Sequence, residues 1–357
     1  MNILLIRLRL IGDVVFTTPL IRALKRTFPG AQLSYLVEPA AAPVVTGNRH
    51  VDRVIVAPDA TGLSRIATDF QLARRLRRER YDLVIDLHGG PRSAWLTWLS
   101  GAPQRIGYEI TGRTWMYTKA VPRPRTLRAR HSVRNQWDLL DAIDAWPGGE
   151  PDPSRDAVEM PRDPQADSRI EQRLHGFGIT SAHELVVIHV SAGNPFRRWP
   201  EAAFTRLVSG LAAASPDRRI VLSSGPSDRL AAARIAAEAR RLLGPAGERV
   251  VDFGEFDLAE LRALVERSRL FIGGDSGPLH IAATTATPIV GIYGPTEPAR
   301  SAPWRDPRFP TEAVEIAGLP CRPCDQRVCE PGDFRCLTTL KPEDVLSAAM
   351  RAMNARA

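Results

Sequence analysis

Three short stretches carry side chains that could act on one reaction, and a fourth carries thiols. Asp13 lies in Arg9-Leu-Ile-Gly-Asp-Val-Val15, behind an apolar run and ahead of a helical pattern. A carboxylate there is either a helix cap or a general base taking a proton from an acceptor hydroxyl, with Gly12 letting that hydroxyl come close. Ser191-Ala-Gly-Asn-Pro-Phe-Arg-Arg-Trp-Pro200 is a small-residue loop ending in Arg197 and Arg198, whose planar guanidinium groups bond phosphate oxygens in a fork. Gly273-Gly-Asp-Ser-Gly-Pro-Leu-His280 reads as a strand end, a tight turn and a helix N-terminus. The free N–H groups of such a terminus, at Ser276 and Gly277, suit a phosphate, and Asp275 and His280 flank it. An ordinary β-α-β crossover would use the same glycines only to turn corners. Cys321, Cys324, Cys329 and Cys336 all lie within one short proline- and glycine-bearing stretch. In a reducing compartment such a group can hold structural zinc tetrahedrally, form a redox-labile knot or remain free.

The elements needed to position these residues alternate along the chain. Ile3–Leu8, Gln32–Val37, Val54–Ala57 and Tyr81–Leu87 read as strands, with helices expected over Val14–Thr27 and Asp69–Arg80. The second half repeats the pattern, with strands at Leu185–Val190, Arg219–Ser223, Val250–Val251, Leu270–Ile272 and Pro288–Tyr293. Its helices are expected over Pro200–Ala214, Leu230–Leu243, Leu258–Glu266 and Pro342–Met353. Such alternation predicts an α/β fold with parallel sheets covered by helices on both faces. Loops at the C-terminal strand ends, including Ile11–Asp13 and His88–Arg92, then face a ligand crevice, which makes Gly12 and Arg92 candidates on the acceptor side. Residues 146–168 are too rich in proline for helix or central strand and read as an interdomain linker. The expected division is 1–160, 161–340 and a C-terminal helical segment, 341–357, that packs back on the domains.

The 357 residues carry a net charge of +8, almost all of it from arginine, since only three lysines occur. An anionic partner such as phosphate, a membrane surface or nucleic acid is one reading of that excess, and genome composition is another. Arginines crowd 105–134 (Arg105, Arg113, Arg123, Arg125, Arg128, Arg130, Arg134), interleaved with Tyr108, Trp115 and Tyr117. They read as a solvated basic face or as a patch for a phosphorylated or membrane-embedded acceptor. A nucleic-acid surface can look similar, but no recognisable binding motif accompanies it, so no nucleic-acid partner is expected. No stretch approaches the roughly 18 apolar residues of a membrane span, and no basic region precedes the first strand, so a cytoplasmic protein is expected. Dinucleotide, P-loop and nucleophile-elbow motifs are all absent.

Taken together, Ile6-Arg-Leu-Arg-Leu-Ile-Gly-Asp-Val-Val15 with Pro19, Arg197-Arg-Trp-Pro200, Gly274-Asp-Ser-Gly-Pro-Leu-His280 and Gly291-Ile-Tyr-Gly-Pro-Thr296 resemble glycosyltransferase family 9, the ADP-heptose:lipopolysaccharide heptosyltransferases. The resemblance implies a GT-B fold, two Rossmann-like doubly wound domains facing a central crevice, with the acceptor on the N-terminal domain and the nucleotide-sugar on the C-terminal one. It implies inverting transfer from an ADP-sugar to the lipopolysaccharide core or another anionic glycolipid, with no cofactor required for catalysis; peripheral contact with the inner face of the inner membrane is a separate expectation. Asp13 then corresponds to the general base, and Asp275, Ser276, Gly277 and His280 to the donor loop. Ser191 corresponds to part of a phosphate loop, with Arg197 and Arg198 offsetting the diphosphate charge. A GT-B enzyme using a UDP- or GDP-hexose is the alternative within the same fold.

Overall fold

The computed structural model describes residues 1–123, 130–322, 324 and 326–355. The chain divides into two compact units, Met1–Pro161 and Arg162–Ala357. The first holds β1 (Asn2–Ile6), β2 (Gln32–Val37), β3 (Arg53–Val56), β4 (Leu83–Asp86), β5 (Gln104–Tyr108) and β6 (Lys119–Val121). They pair in the order β3-β2-β1-β4-β5-β6, every neighbour parallel. The second holds β7 (Glu184–His189), β8 (Arg218–Ser223), β9 (Val250–Asp252), β10 (Leu270–Gly274), β11 (Ile289–Tyr293) and β12 (Thr311–Glu315), in the order β12-β11-β10-β7-β8-β9, again all parallel. Both sheets therefore have the same doubly wound strand order. In each, the order reverses between two central strands, β1 and β4 in one and β7 and β10 in the other. Ligands of such sheets bind beyond the C-terminal ends of those strands.

The central strands are continuous apolar runs because helices cover both of their faces: Ile3, Leu4, Leu5 and Ile6 are fully buried, as are Leu270, Phe271 and Ile272. The helix Pro342–Asn354 packs on the second unit, laying Val345, Ala348, Ala349 and Ala352 against the cluster around β10 and β11.

Local structure departs from the sequence reading where side chains compete with the backbone. The single helix expected over Val14–Thr27 is two, Ile11–Val15 and Thr18–Thr27. The Thr17 and Thr18 hydroxyls bond the Val14 and Val15 carbonyls at 2.6 and 2.8 Å, and Pro19, in the first turn of the second helix, has no N–H to continue the first. The basic helix begins earlier than expected and spans Gly62–Arg78. The helix Pro91–Leu99 and the strands β5, β6 and β12 lie where no element was read. Part of the proline-rich stretch read as a linker lies on the first unit: Asp156 is fully buried and pairs with Arg26 at 3.0 Å, while Glu159 pairs with Arg22 and accepts Asn48 at 2.9 Å.

The expected basic face over 105–134 is largely consumed by internal bonds. Arg105 donates to Met116 and Ala102 carbonyls, Arg130 forks onto Asp138 at 2.6 and 2.8 Å, and Arg123 lies over the Tyr108 ring. Arg125 and Arg128 lie outside the described residues.

Gly107 on β5 has a steric reason: a Cβ there would meet the Tyr117 ring at 2.4 Å, and that ring is held by its hydroxyl bond to Asp86 at 2.6 Å. Gly107→Ala is expected to destabilise the protein by about 1–3 kcal/mol through this overpacking, read as a lower denaturant midpoint at unchanged m-value.

Candidate active site

In the first unit the site is built where β1 and β4 end. Leu10 has a positive φ of +69° and turns the chain from β1 into the short helix that carries Asp13. Strain of this kind concentrates at loops that must present a group. Asp13 is not a cap, because Leu10 holds the cap position and no side chain bonds the first turn. Its carboxylate pairs instead with Arg7, whose Nη1 also donates to the Leu87 carbonyl at 2.6 Å. One guanidinium thus ties the loop after β1 to the loop after β4, and the Asp13 side chain keeps 28% of its surface accessible.

Asp86 ends β4 fully buried, and it accepts the amides of His88 and Gly89, the Ser93 hydroxyl (each at 2.9 Å) and the Tyr117 hydroxyl. Burial pushes this carboxyl up, and the four donors work against that shift. They fix the turn that presents His88. Burial first, then the charges of Arg7, Arg9 and Arg123, push the His88 imidazole down to about 4, so the ring is neutral at neutral pH. Its Nδ1 is buried with no hydrogen-bond partner among the described residues. Gly90 is required beside it, since a Cβ there would meet the ring at 2.6 Å.

In the second unit, β10 delivers Asp275 to the sheet edge, where it is 3% exposed. Arg197, in the loop after β7, donates from Nη1 to the Asp275 main-chain oxygen at 2.9 Å and to its Oδ2 at 3.1 Å, while His280 Nε2 lies 3.4 Å from Oδ1. Burial pushes the Asp275 carboxyl up, but His280 and the Arg197 charge outweigh it and hold the group below the ordinary carboxylate range. Ser276 caps the helix Gly277–Ala282 by position, with its hydroxyl donating to the Gly274 carbonyl at 3.2 Å. At six residues this helix offers its first-turn N–H groups rather than a full macrodipole.

The expected donor residues fall into two groups. Arg197, Asp275, Ser276, Gly277 and His280 form one cluster. Ser191 and Arg198 instead bind the loop after β8: Ser191 Oγ accepts the Gly225 amide at 2.8 Å, and Arg198 pairs with Asp228 at 3.1 Å and donates to the Ala192 carbonyl. Arg92 has its guanidinium taken up by Asp69 at 2.6 Å, Glu38 at 2.9 Å and the Pro58 carbonyl. Asp13 and Gly12 lie in the first unit with Arg7, which sequence reasoning passed over because an arginine following a buried strand carries no local signal.

Zinc at the cysteines finds no ready-made site. All four are free thiols lining one cavity of about 410 Å³, and no group of three or more His, Cys, Asp or Glu among the described residues is arranged to hold a metal ion. Zinc needs its sulfurs drawn in to about 2.3 Å from one centre. Cys336, with its thiol pushed up by burial, lies at the start of a short helix in the wall.

These sites belong to an α/β protein of two Rossmann-like units, the GT-B class. Residues 70–332 match glycosyltransferase family 9 (heptosyltransferase), and the chain belongs to that family of glycosyltransferases. It is 28% identical to lipopolysaccharide heptosyltransferase 3 of Escherichia coli over 328 residues, covering 90% of this chain and 91% of that one. Among solved structures it superposes on the family 9 glycosyltransferase from Veillonella parvula with a TM-score of 0.81 at 21% identity, covering 99% and 97% of the two chains. The E. coli ADP-heptose lipopolysaccharide heptosyltransferase II gives a TM-score of 0.77 at 20% identity, with 99% of each chain covered.

The sites also carry a pH signature. His189, at the end of β7, is buried against the Ser223 hydroxyl at 2.9 Å, and burial pushes its ring down from 6.5 to about 4. Between those values the unfolded chain binds a proton that the folded chain does not. The contribution of His189 to stability is therefore fully present above pH 6.5 and is lost as pH falls toward 4, with His88 acting in the same direction. Urea midpoints should fall across this window, and His189→Asn should flatten the decline by at most about 3 kcal/mol.

Proposed function

We propose that this glycosyltransferase moves a heptose from ADP-heptose to the lipopolysaccharide inner core, at a lipid A–Kdo acceptor, with inversion at the anomeric carbon. The observation that carries the reading is the Arg197–Asp275–His280 cluster at the C-terminal ends of β7 and β10, in a chain of this family. The second unit takes the donor. Arg197 and the first-turn amides at Ser276 and Gly277 meet the charge that builds on the departing diphosphate, while Arg198 and Ser191, on the same loop as Arg197, tie that loop to the one after β8. Asp275 and His280 hold Arg197 and the loop in place.

The first unit takes the acceptor. Asp13, oriented by Arg7, accepts the proton of the attacking hydroxyl, which adds to the anomeric carbon from the face opposite the leaving ADP. Gly12 leaves room for that hydroxyl, and His88, on the turn that Asp86 fixes, stays neutral. Arg92 supports this side through Asp69 and Glu38 rather than by contact. Asp13→Asn should lower transfer of heptose from ADP-heptose to truncated lipopolysaccharide about 10²–10⁴-fold while ADP affinity stays within about twofold. Full activity in the Asp13→Asn enzyme would remove the base assignment. Arg197→Ala should weaken ADP binding about tenfold or more, read by calorimetry.

A lipid-anchored acceptor places the work at a membrane surface, and no helix among the described residues is long and apolar enough to cross one. Support for a peripheral contact comes from the exposed face of the first unit. Ile66 and Phe70 share one side of the helix Gly62–Arg78 with Arg74, and the exposed rings of Trp98 and Trp115 pack edge to face at 5.4 Å. Apolar and indole groups bordered by arginine suit an anionic lipid interface. Co-sedimentation with phosphatidylglycerol vesicles is expected for the wild type, with little on phosphatidylcholine. Phe70→Glu with Ile66→Glu should abolish it; vesicle binding that survives this pair would move the contact elsewhere.

A further inference from the structure

The cysteine-bearing segment reaches into the donor cluster through one side chain. Gln326, two residues after Cys324, places its Oε1 where it accepts Arg197 Nε at 2.7 Å and Asn194 Nδ2 at 3.0 Å. The same guanidinium is held on another nitrogen, Nη1, by Asp275. Two of its three nitrogens are thus fixed in one plane, and Nη2 has no partner among the described residues.

The backbone that aims Gln326 is itself constrained. Gln326 takes the left-handed conformation, φ +60°, which a residue with a Cβ adopts only when its surroundings enforce it. The enforcing bonds are visible: the Gln326 amide donates to Cys324 Sγ at 3.3 Å, and the Cys324 amide donates to the Pro295 carbonyl at 3.4 Å, in the loop after β11. A continuous series of bonds therefore runs from that loop through Cys324 and Gln326 to Arg197 and Asp275.

We propose that Gln326 is a positioning residue for the donor diphosphate, acting through Arg197. It turns the Nη2 edge of the guanidinium toward the phosphate and holds it there before the ligand arrives. An amide oxygen suits this task. Asp275 already sets one carboxylate against Arg197, and a second at position 326 would cancel the positive charge that a diphosphate needs. The thiol-lined segment thereby acquires a role in donor binding that requires no metal chemistry from its cysteines.

The proposal rests on the donor reading of the Arg197 cluster, and its test separates the two. ADP is titrated calorimetrically into the full-length wild type, Gln326→Met, Gln326→Glu, Arg197→Met and the Gln326→Met/Arg197→Met double variant, with thermal unfolding recorded for each. Gln326→Met keeps the side-chain length but removes the acceptor, and should weaken ADP about 3- to 10-fold at an unchanged unfolding temperature. Gln326→Glu should weaken it further. The double variant should bind no more weakly than Arg197→Met alone, because Gln326 acts only through that guanidinium. ADP binding by Gln326→Met and Gln326→Glu equal to wild type, or additive losses in the double variant, would overturn the proposal alone. A wild type that binds no ADP would overturn the donor reading and this proposal together.

Discussion

The contact between Arg197 and Asp275 sets the second unit's architecture around its loops. Asp275 is a carboxylate almost without solvent, and leaving it unpaired would cost several kcal/mol. Its partner comes from a different strand end, and the orientation of that partner comes from Gln326, itself held by Asn194. Three segments distant in sequence must therefore close on one ion pair. A buried pair of this kind is weak evidence for stability, but it gives the site one geometry. The geometry leaves an arginine edge and helix-start amides beside each other, an arrangement that suits a phosphate.

The first unit solves a related problem with different groups. Its buried carboxylate, Asp86, is satisfied by two amides and two hydroxyls instead of an arginine, and the donors define the turn carrying His88. The arginine of this unit, Arg7, serves the more accessible Asp13. The contrast follows from the task proposed for each. A diphosphate calls for positive charge fixed in advance, whereas a general base must stay within reach of the hydroxyl it serves. Both arrangements sit where the strand order reverses, since loops from both sides can meet only there.

The α/β class and most central strands were legible in the sequence because a buried parallel strand is an unbroken apolar run; Leu258–Glu266 matches its expected bounds, and Gln32–Val37 does also. β5 and β12 escaped notice, since each mixes charged or polar residues into a short strand. The break at Thr17 and Thr18 was hidden because hydroxyl-to-carbonyl bonding leaves the helical periodicity intact. Among the candidate residues, the Asp275–His280 loop stood out by its glycines and its place after a strand. Arg7 and Gln326 did not, because each is defined by a contact with a residue in another loop. The 291–296 block shows the reverse effect. Gly291 leaves space for the buried Tyr293 ring, which a Cβ would approach to 2.7 Å, and Gly294 does so for Leu337, so part of that motif's pattern is packing.

The second unit is proposed to hold the nucleotide of an ADP-sugar. Calorimetric titration of the wild-type protein with ADP, UDP and GDP under one buffer and salt condition addresses it directly. Saturable one-to-one binding of ADP, at least about tenfold tighter than UDP or GDP, is the predicted result, a difference of about 1.4 kcal/mol or more. A preference for UDP or GDP would contradict the ADP-heptose assignment while leaving a glycosyltransferase of this family in place.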